Sequence, residues 1–197
     1  MYMCLQGYDP SKITILTTYN GQKALIKDII KQKCAWNPIF KNPKKITTVD
    51  RYQGQQNDYV LLSLVRTKYP GHLRDIRRLI VALSRGKFGL YVFGCWDLFS
   101  NCQELKNTFD IFAKKPLELC LMINENMFGM PQNVRLFKED YLNDGLSNYN
   151  QTPIGQVLKI QDHKHMYRVV NELLKIRNAF FQQQQNVQQT PGNQLSS

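Results

Sequence analysis

The chain has 197 residues, the length of one ordinary domain with an appended segment, and it is long enough to bury a hydrophobic core. Its 26 lysine and arginine residues exceed its 15 aspartate and glutamate residues, giving a net charge of +11. Such a surplus suits a polyanionic partner, although a solubilising basic surface explains it equally well. No apolar run reaches the roughly 20 residues of a membrane span, and no targeting pattern opens the chain, so we expect a soluble, unsecreted protein. The five cysteines are odd in number and form no Cys-x-x-Cys pair, which predicts neither disulfides nor a metal site and fits the cytosol or nucleus.

The first predicted elements are a strand and a helix. Residues 12–17 form a short apolar run that predicts a strand, and Asn20 is a candidate N-cap for a helix at residues 22–33. Lys23 falls in the first turn of that helix, where the dipole disfavours a cation, which indicates a nearby anion. Helical spacing predicts a buried face made of Leu25, Ile26, Ile29 and Ile30.

A polar segment then leads into a second strand. Residues 36–45 contain two prolines and predict a loop, and residues 47–58 (TTVDRYQGQQND) precede the apolar run 59–65. Gly54 lets the backbone approach a ligand closely, and the amide of Gln53 suits a base edge or a ribose and phosphate cluster. Taken alone, the segment equally fits a hydrophilic turn before a strand.

A helical segment, residues 73–87 (LRDIRRLIVALSRGK), leads into a further apolar run at 88–93. Strand, helix and strand predict a parallel βαβ unit, with the chemistry at the carboxyl ends of the strands. The spacing predicts a buried stripe of Leu73, Ile76, Ile80 and Leu83. Three arginines are predicted to lie together on a second face: Arg74, Arg78 and Arg85. They would repel one another unless an anion joins them, or they form a surface salt-bridge cluster with Asp75.

The rest of the chain is less regular. Residues 96–115 predict two short helices, and alternation at 117–123 predicts a final strand. Residues 127–153 receive no assignment. A stripe of Met166, Val169, Val170, Leu173 and Leu174 predicts an amphipathic helix at 163–181, and the glutamine-rich residues 182–197 predict disorder. The expected domains are 1–124, an extension at 125–181 and a tail at 182–197.

Three segments together resemble a known family. Residues 48–58 (TVDRYQGQQND), followed by LVRT at 64–67, resemble motif V of superfamily 1 helicases, and residues 77–87 (RRLIVALSRGK) resemble motif VI. Residues 13–22 (ITILTTYNGQ) resemble motif IV. The amino-acid sequences of these motifs are most similar to those of the RNA helicases that act in the spliceosome and in nonsense-mediated decay. The resemblance implies an α/β fold, a RecA-like parallel sheet flanked by helices, and assigns residues 1–124 to the second RecA-like domain of a helicase.

The resemblance also implies roles for particular residues. Arg85 stands at the position of the arginine finger, which neutralises charge on the transferred γ-phosphoryl group. Lys23 stands where the family usually carries an arginine that reaches the γ-phosphate, and Gln56 where it usually carries a glutamate that holds the ribose. Gln53 is implied to meet the nucleotide, and Arg78 to support Arg85 or to meet nucleic acid. The hydroxyl groups implied to contact the nucleic-acid backbone are those of Thr17, Thr18, Thr47 and Thr48.

The sequence contains no G-x-x-x-x-G-K-[ST] phosphate loop and no acidic pair after a strand, both of which a helicase motor needs. We therefore expect ATP and Mg²⁺ to be bound mainly by a first RecA-like domain outside this sequence, and the chain alone to be inactive. The implied function is the C-terminal part of an ATP-dependent RNA helicase in pre-mRNA splicing in the nucleus. Its implied partners are single-stranded intron RNA, the first RecA-like domain and spliceosomal proteins, with no membrane. Two alternatives stay open: a spliceosomal RNA-binding scaffold with little turnover, and a DNA helicase of the same superfamily.

Overall fold

A computed structural model of the chain describes residues 1–115, 118–122 and 157–189. The chain divides into two compact units, one of Tyr8–Leu117 and one of Met1–Gly7 with Glu118–Ser197. The described α-helices are α1 (Tyr2–Leu5), α2 (Asn20–Cys34), α3 (Ile76–Leu83), α4 (Trp96–Ser100), α5 (Lys106–Phe112) and α6 (His163–Gln189). The described strands are β1 (Ile13–Thr17), β2 (Lys45–Thr48), β3 (Asn57–Ser63), β4 (Gly86–Phe93), β5 (Cys120–Met122) and β6 (Val157–Lys159).

The larger unit, Tyr8–Leu117, is built on a four-stranded parallel sheet in the order β2-β1-β3-β4. In this register Leu16 of β1 lies between Thr47 of β2 and Leu62 of β3. β3, α3 and β4 form the predicted parallel βαβ unit, and the α/β fold class is confirmed. β2 was not predicted, because its four residues KITT are short and mostly polar.

The core of this unit lies between the sheet and α3 and extends to the short helices that follow β4. Val60 and Leu62 of β3 and Leu79 and Ala82 of α3 are buried there. The predicted stripe of α3 is wrong at Ile76 and Ile80, which are 36% and 53% exposed. The prediction counted the helical repeat from Leu73. This residue belongs to a separate 3-10 turn before the helix, so the repeat was out of register with α3. Beside α3, Phe99 of α4 stacks on Phe109 of α5 with ring centroids 5.8 Å apart, so the two predicted short helices are confirmed.

Helix α2 departs from its prediction at both its start and its face. The helix begins at Asn20 and is capped by Tyr19 in extended conformation, so the prediction of Asn20 as the N-cap is wrong. No residue of α2 is buried, and Leu25 and Ile29 of the predicted buried face are 51% and 47% exposed. Ile26 and Ile30 of the same face are half-buried, and α2 contacts β1 and β2.

The second unit contains the chain's first residues and its last described helix. β5 and β6 form an antiparallel pair in which Leu121 faces Leu158, so the predicted strand at 117–123 exists but pairs outside the parallel sheet. α6 buries four of its predicted apolar residues: Val169, Val170, Leu173 and Leu174.

Helix α6 continues to Gln189, so the prediction of disorder is wrong for residues 182–189, whose glutamines favour a helix. The remaining tail and the unassigned residues 127–153 lie outside the described residues. In the part of the chain that the structure describes, no helix combines the length and apolarity needed to cross a membrane.

Candidate functional site at the two ends of the parallel sheet

The motif V turn and Arg85 both lie at the amino end of the sheet, where the parallel strands begin. Asn57 of β3 and Gly86 of β4 are register partners, and residues 53–56 and Arg85 directly precede them. The expectation that this chemistry lies at the carboxyl ends is therefore wrong. The reason is connectivity: residues 49–56 cross from the end of β2 to the start of β3, and α3 returns the chain to the start of β4.

Arg85 is held between the end of α3 and the motif V turn. Its Nε donates to the carbonyl oxygen of Val81 at 2.6 Å, and its Nη1 donates to the carbonyl oxygen of Gln55 at 3.3 Å. The side-chain amide of Gln56 donates to the carbonyl oxygen of Ser84 at 3.4 Å. The guanidinium is half-buried and has five N–H donors, so donors beyond these two contacts remain for an anion. Among the described residues no carboxylate pairs with Arg85.

The motif V turn owes its shape to Gly54, whose φ is +73°. A Cβ added there would meet no atom within 4 Å, so the glycine is required by backbone conformation rather than by space. Gln53 and Gln56 are exposed on either side of it. Lys45, which the sequence did not single out, donates from Nζ to Oε1 of Gln55 at 2.8 Å and adds a cation to this end of the sheet.

Asn57 anchors the start of β3 and was also missed as a functional residue. Its side chain is 7% exposed, and its Nδ2 donates to Thr14 Oγ1 at 3.0 Å and to the carbonyl oxygen of Ser11 at 3.4 Å. Its backbone N–H donates to the carbonyl oxygen of Arg85 at 3.1 Å. In the sequence, the position of a polar residue at the start of an apolar strand could have indicated this role. In the structure, Asn57 fixes the backbone beside Arg85.

Of the predicted arginine cluster, the structure describes the side chains of Arg78 and Arg85, which lie at different ends of α3. Asp75 caps α3 by accepting from the backbone N–H of Arg77 at 3.0 Å, and it also accepts from Arg77 Nε at 3.2 Å. The pKa of Asp75 lies below its usual value, chiefly because of the hydrogen bond from the Arg77 side chain and then because of the bond from the Arg77 backbone. Arg78 is exposed in the first turn of α3, about 10 Å along the helix axis from Arg85. The side chain of Arg74 lies outside the described residues.

Lys23 lies at the carboxyl end of the sheet, in the first turn of α2, where its Nζ donates to Asn20 Oδ1 at 3.1 Å. The length of the strands, roughly 15 Å, separates this end from Arg85. Gln53, Gln56 and Arg85 therefore lie at one end of the sheet and Lys23 and Arg78 toward the other, and the assignment of Lys23 and Arg78 to the nucleotide stays a prediction.

The predicted backbone-contacting hydroxyls also lie at the carboxyl end, where Thr17 pairs in register with Thr48. Thr17 is fully buried, and Thr47 and Thr48 are each 6% exposed. Thr18 is half-buried and donates to the carbonyl oxygen of Leu64 at 3.5 Å. Of the four, Thr18 alone is open to a ligand in this arrangement, and the assignment of the others stays a prediction.

The donor groups at the amino end fit a phosphorylated ligand. Amides and a guanidinium donate to phosphate and ribose oxygens, which is the chemistry a nucleotide presents. Within the described residues, no group of three or more histidine, cysteine, aspartate or glutamate side chains is placed to hold a metal ion.

Comparisons with known proteins agree with this architecture. A family described as "AAA domain" matches residues 1–97. The chain is 59% identical over 125 residues to "RNA helicase aquarius" of Mus musculus, a match that covers 64% of this chain and 8% of that protein. It is 36% identical over 150 residues to "Helicase required for RNAi-mediated heterochromatin assembly 1" of Schizosaccharomyces pombe, covering 73% of this chain and 14% of that protein. It is 36% identical over 91 residues to "ATP-dependent helicase NAM7" of Saccharomyces cerevisiae, covering 45% and 9%. The chain thus spans a small fraction of the relatives it matches.

Proposed function

Because the chain belongs, through its AAA domain, to the superfamily 1 helicases, we propose that it is the C-terminal part of an ATP-dependent RNA helicase motor. In this proposal the amino end of the sheet faces a nucleotide held by a first RecA-like domain, which supplies the phosphate loop and the Mg²⁺ ligands. Following the resemblance, we place the activity in pre-mRNA splicing in the nucleus, with intron RNA and spliceosomal proteins as partners.

The observation that carries the proposal is the fixed guanidinium of Arg85. Two carbonyl oxygens, of Val81 and Gln55, orient it before any ligand binds, so little reorganisation is needed when charge develops on the γ-phosphoryl group. Arginine fingers supplied to GTPases accelerate hydrolysis about 10³ to 10⁵-fold. Arg85 would neutralise that charge, while the exposed amides of Gln53 and Gln56 bind the ribose and phosphate oxygens.

The carboxyl end of the sheet is proposed as the nucleic-acid side. Lys23 is better used there than at the γ-phosphate, because the sheet separates it from Arg85. Arg78, in the first turn of α3, joins this side for the same reason. Thr18 can contact a phosphate directly, whereas Thr17 is buried at the end of β1 and would need the residues that cover it to move first.

The test is RNA-stimulated ATP hydrolysis by a polypeptide that joins this chain to a phosphate-loop domain of the same family. Arg85→Ala is expected to lower turnover at least a hundredfold at equal RNA occupancy. Arg168→Ala, which removes an exposed arginine of α6, is the matched control and should leave turnover unchanged.

A second candidate is an RNA-binding scaffold with little turnover. It is favoured by Gln56, which replaces the carboxylate that the family usually places near the ribose. Near-zero hydrolysis in both wild type and Arg85→Ala, with RNA binding retained, would support the scaffold and overturn the motor.

A further inference from the structure

An arginine and a tyrosine that the sequence did not single out meet at the carboxyl end of the sheet. Tyr19 follows β1 and Arg66 follows β3, and these strands are neighbours. The Arg66 guanidinium lies over the Tyr19 ring, 4.3 Å from its centroid, and Nε donates to the Tyr19 hydroxyl at 2.8 Å. Arg66 is exposed, so the stacked pair presents a rigid cation to solvent.

Two residues with positive φ shape the backbone around this pair, and for Val65 this conformation is unfavourable. Val65 has a φ of +67°, which is rare for a β-branched residue, and the Arg66 N–H donates back to the carbonyl oxygen of Leu64 at 2.7 Å in a three-residue turn. Gly71 has a φ of +61°, and any Cβ there would collide with the Tyr19 hydroxyl. Strained backbone of this kind concentrates at ligand-binding positions.

The loop that carries Arg66 is positively charged. Only Nε of Arg66 is used by Tyr19, and the terminal amino groups have no acceptor among the described residues. Residues 64–74 (LVRTKYPGHLR) contain no carboxylate, and Lys68 adds an exposed cation. Tyr69 is 76% exposed in the same loop, which places an aromatic face for base stacking beside the cations.

We propose that Arg66, stacked on Tyr19, binds a backbone phosphate of single-stranded nucleic acid, with Tyr69 offering a stacking face for a neighbouring base. This site rests on the proposed helicase function, and it specifies where the carboxyl end of the sheet holds the strand. A planar guanidinium presents two parallel N–H donors that match two phosphate oxygens, a fork geometry that an ammonium group lacks.

The test measures binding of a fluorescein-labelled single-stranded RNA oligonucleotide to the 197-residue chain by anisotropy, across a series of salt concentrations. For single strands, each neutralised phosphate contributes a slope of about −0.7 in log K against log salt. Arg66→Ala is expected to reduce the slope by about 0.7 and to weaken binding about tenfold at low salt. Arg66→Lys should keep the slope and bind more weakly than wild type, because the fork is lost.

Two further variants separate a site from general charge and from misfolding. Lys87→Ala removes an exposed cation from the amino end of the sheet and should change binding less than twofold. Tyr19→Phe keeps the ring but removes the acceptor of Arg66 Nε, and should weaken binding without altering the salt slope. Circular dichroism melts confirm that each variant is folded.

The outcomes decide between the site and the wider proposal. If Arg66→Ala and Lys87→Ala weaken RNA binding equally, or if Arg66→Ala does not weaken it, the site is overturned while RNA binding by this chain stands. Failure of folded wild-type chain to bind the oligonucleotide would overturn both the site and the RNA-binding side of the proposed function. Displacement of the oligonucleotide by inorganic phosphate at constant ionic strength would show a free-phosphate site and also overturn the assignment.

Discussion

At the scale of single residues, Asn57 links the start of β3 to Thr14 of β1 and, through its backbone N–H, to Arg85 just before β4. Its amide is buried, so truncation leaves the hydroxyl of Thr14 and the carbonyl of Ser11 with one partner fewer. We expect Asn57→Ala to lower the free energy of unfolding by about 1–3 kcal/mol. Urea unfolding measures this, with Asn101→Ala as control, because Asn101 also donates from Nδ2 to a backbone carbonyl but is exposed.

Asn57→Asp sharpens this test. The carboxylate has no N–H to donate and would face the carbonyl oxygen of Ser11 in a buried position. A larger loss of stability than for Asn57→Ala is therefore expected. Equal stability of wild type, Asn57→Ala and Asn57→Asp would mean that the side chain does not anchor the strand.

Asp75 makes the stability of the larger unit depend on pH. Its folded-state pKa is lowered by hydrogen bonds from Arg77, so its contribution is fully present above the unfolded-state pKa of about 3.9 and is lost as the pH falls through the lower folded-state pKa. Asn caps a helix but does not titrate. We expect the stability advantage of wild type over Asp75→Asn to be constant at neutral pH, to begin to fall below about pH 4 and to be lost once the pH is below the folded-state pKa.

Chemical denaturation across pH 2 to 7, as an approximate working range, follows this difference. Asp110→Asn removes an exposed carboxylate from α5 and serves as control. A wild-type advantage that persists unchanged in acid would show that the Asp75 charge does not contribute.

At the scale of elements, the turn that joins β2 to β3 depends on the left-handed conformation of Gly54. Because a Cβ there meets no atom within 4 Å, Gly54→Ala carries only the conformational cost, and we expect a loss of about 1–2 kcal/mol. Gly54→Asn should cost less, since asparagine tolerates this conformation.

Gly21→Ala is the matched control for Gly54→Ala. Gly21 also has open space around its Cβ position, but it lies within α2 and has no positive φ. Alanine there should stabilise the chain by up to about 1 kcal/mol. Thermal unfolding measures the stability of each variant. If both substitutions lower the stability, the conformational explanation is contradicted.

Sequence patterns predicted the elements whose residues are continuously apolar. β3 and β4 were found from their unbroken apolar runs, as expected for buried parallel strands, although β4 lies at the edge of the sheet and none of its residues is buried. β2 was missed because KITT reads as a polar loop, although Thr47 and Thr48 are buried. The grouping of Gln56 with Arg85 was predicted through the motifs.

The position of that group was not predictable from local pattern. It depends on the short crossover at 49–56 and on the direction in which α3 returns, which are properties of the chain's topology. Lys23 was grouped with Arg85 because both were read as phosphate contacts. Arg66 was overlooked because its importance depends on its stacking with Tyr19, a residue of another loop.

At the scale of the whole sheet, two sets of donors lie at opposite ends of the same strands. Arg85 and the glutamine amides occupy the amino end, and Arg66, Tyr19 and Lys23 occupy the carboxyl end. Strands of this length separate the two sets by roughly 15 Å. Substitutions at sites more than about 7–10 Å apart without shared partners usually act independently.

This separation predicts a split in the kinetics of a polypeptide that joins the chain to its phosphate-loop domain. Arg66→Ala should raise the RNA concentration that gives half-maximal ATPase stimulation and leave the maximal rate unchanged. Arg85→Ala should lower the maximal rate and leave that RNA concentration unchanged. The double variant should show the product of the two effects, because neither residue contacts the partners of the other. A lower maximal rate for Arg66→Ala at saturating RNA would instead mean that the sheet couples its two ends, with nucleic-acid binding at one end altering the position of the guanidinium at the other.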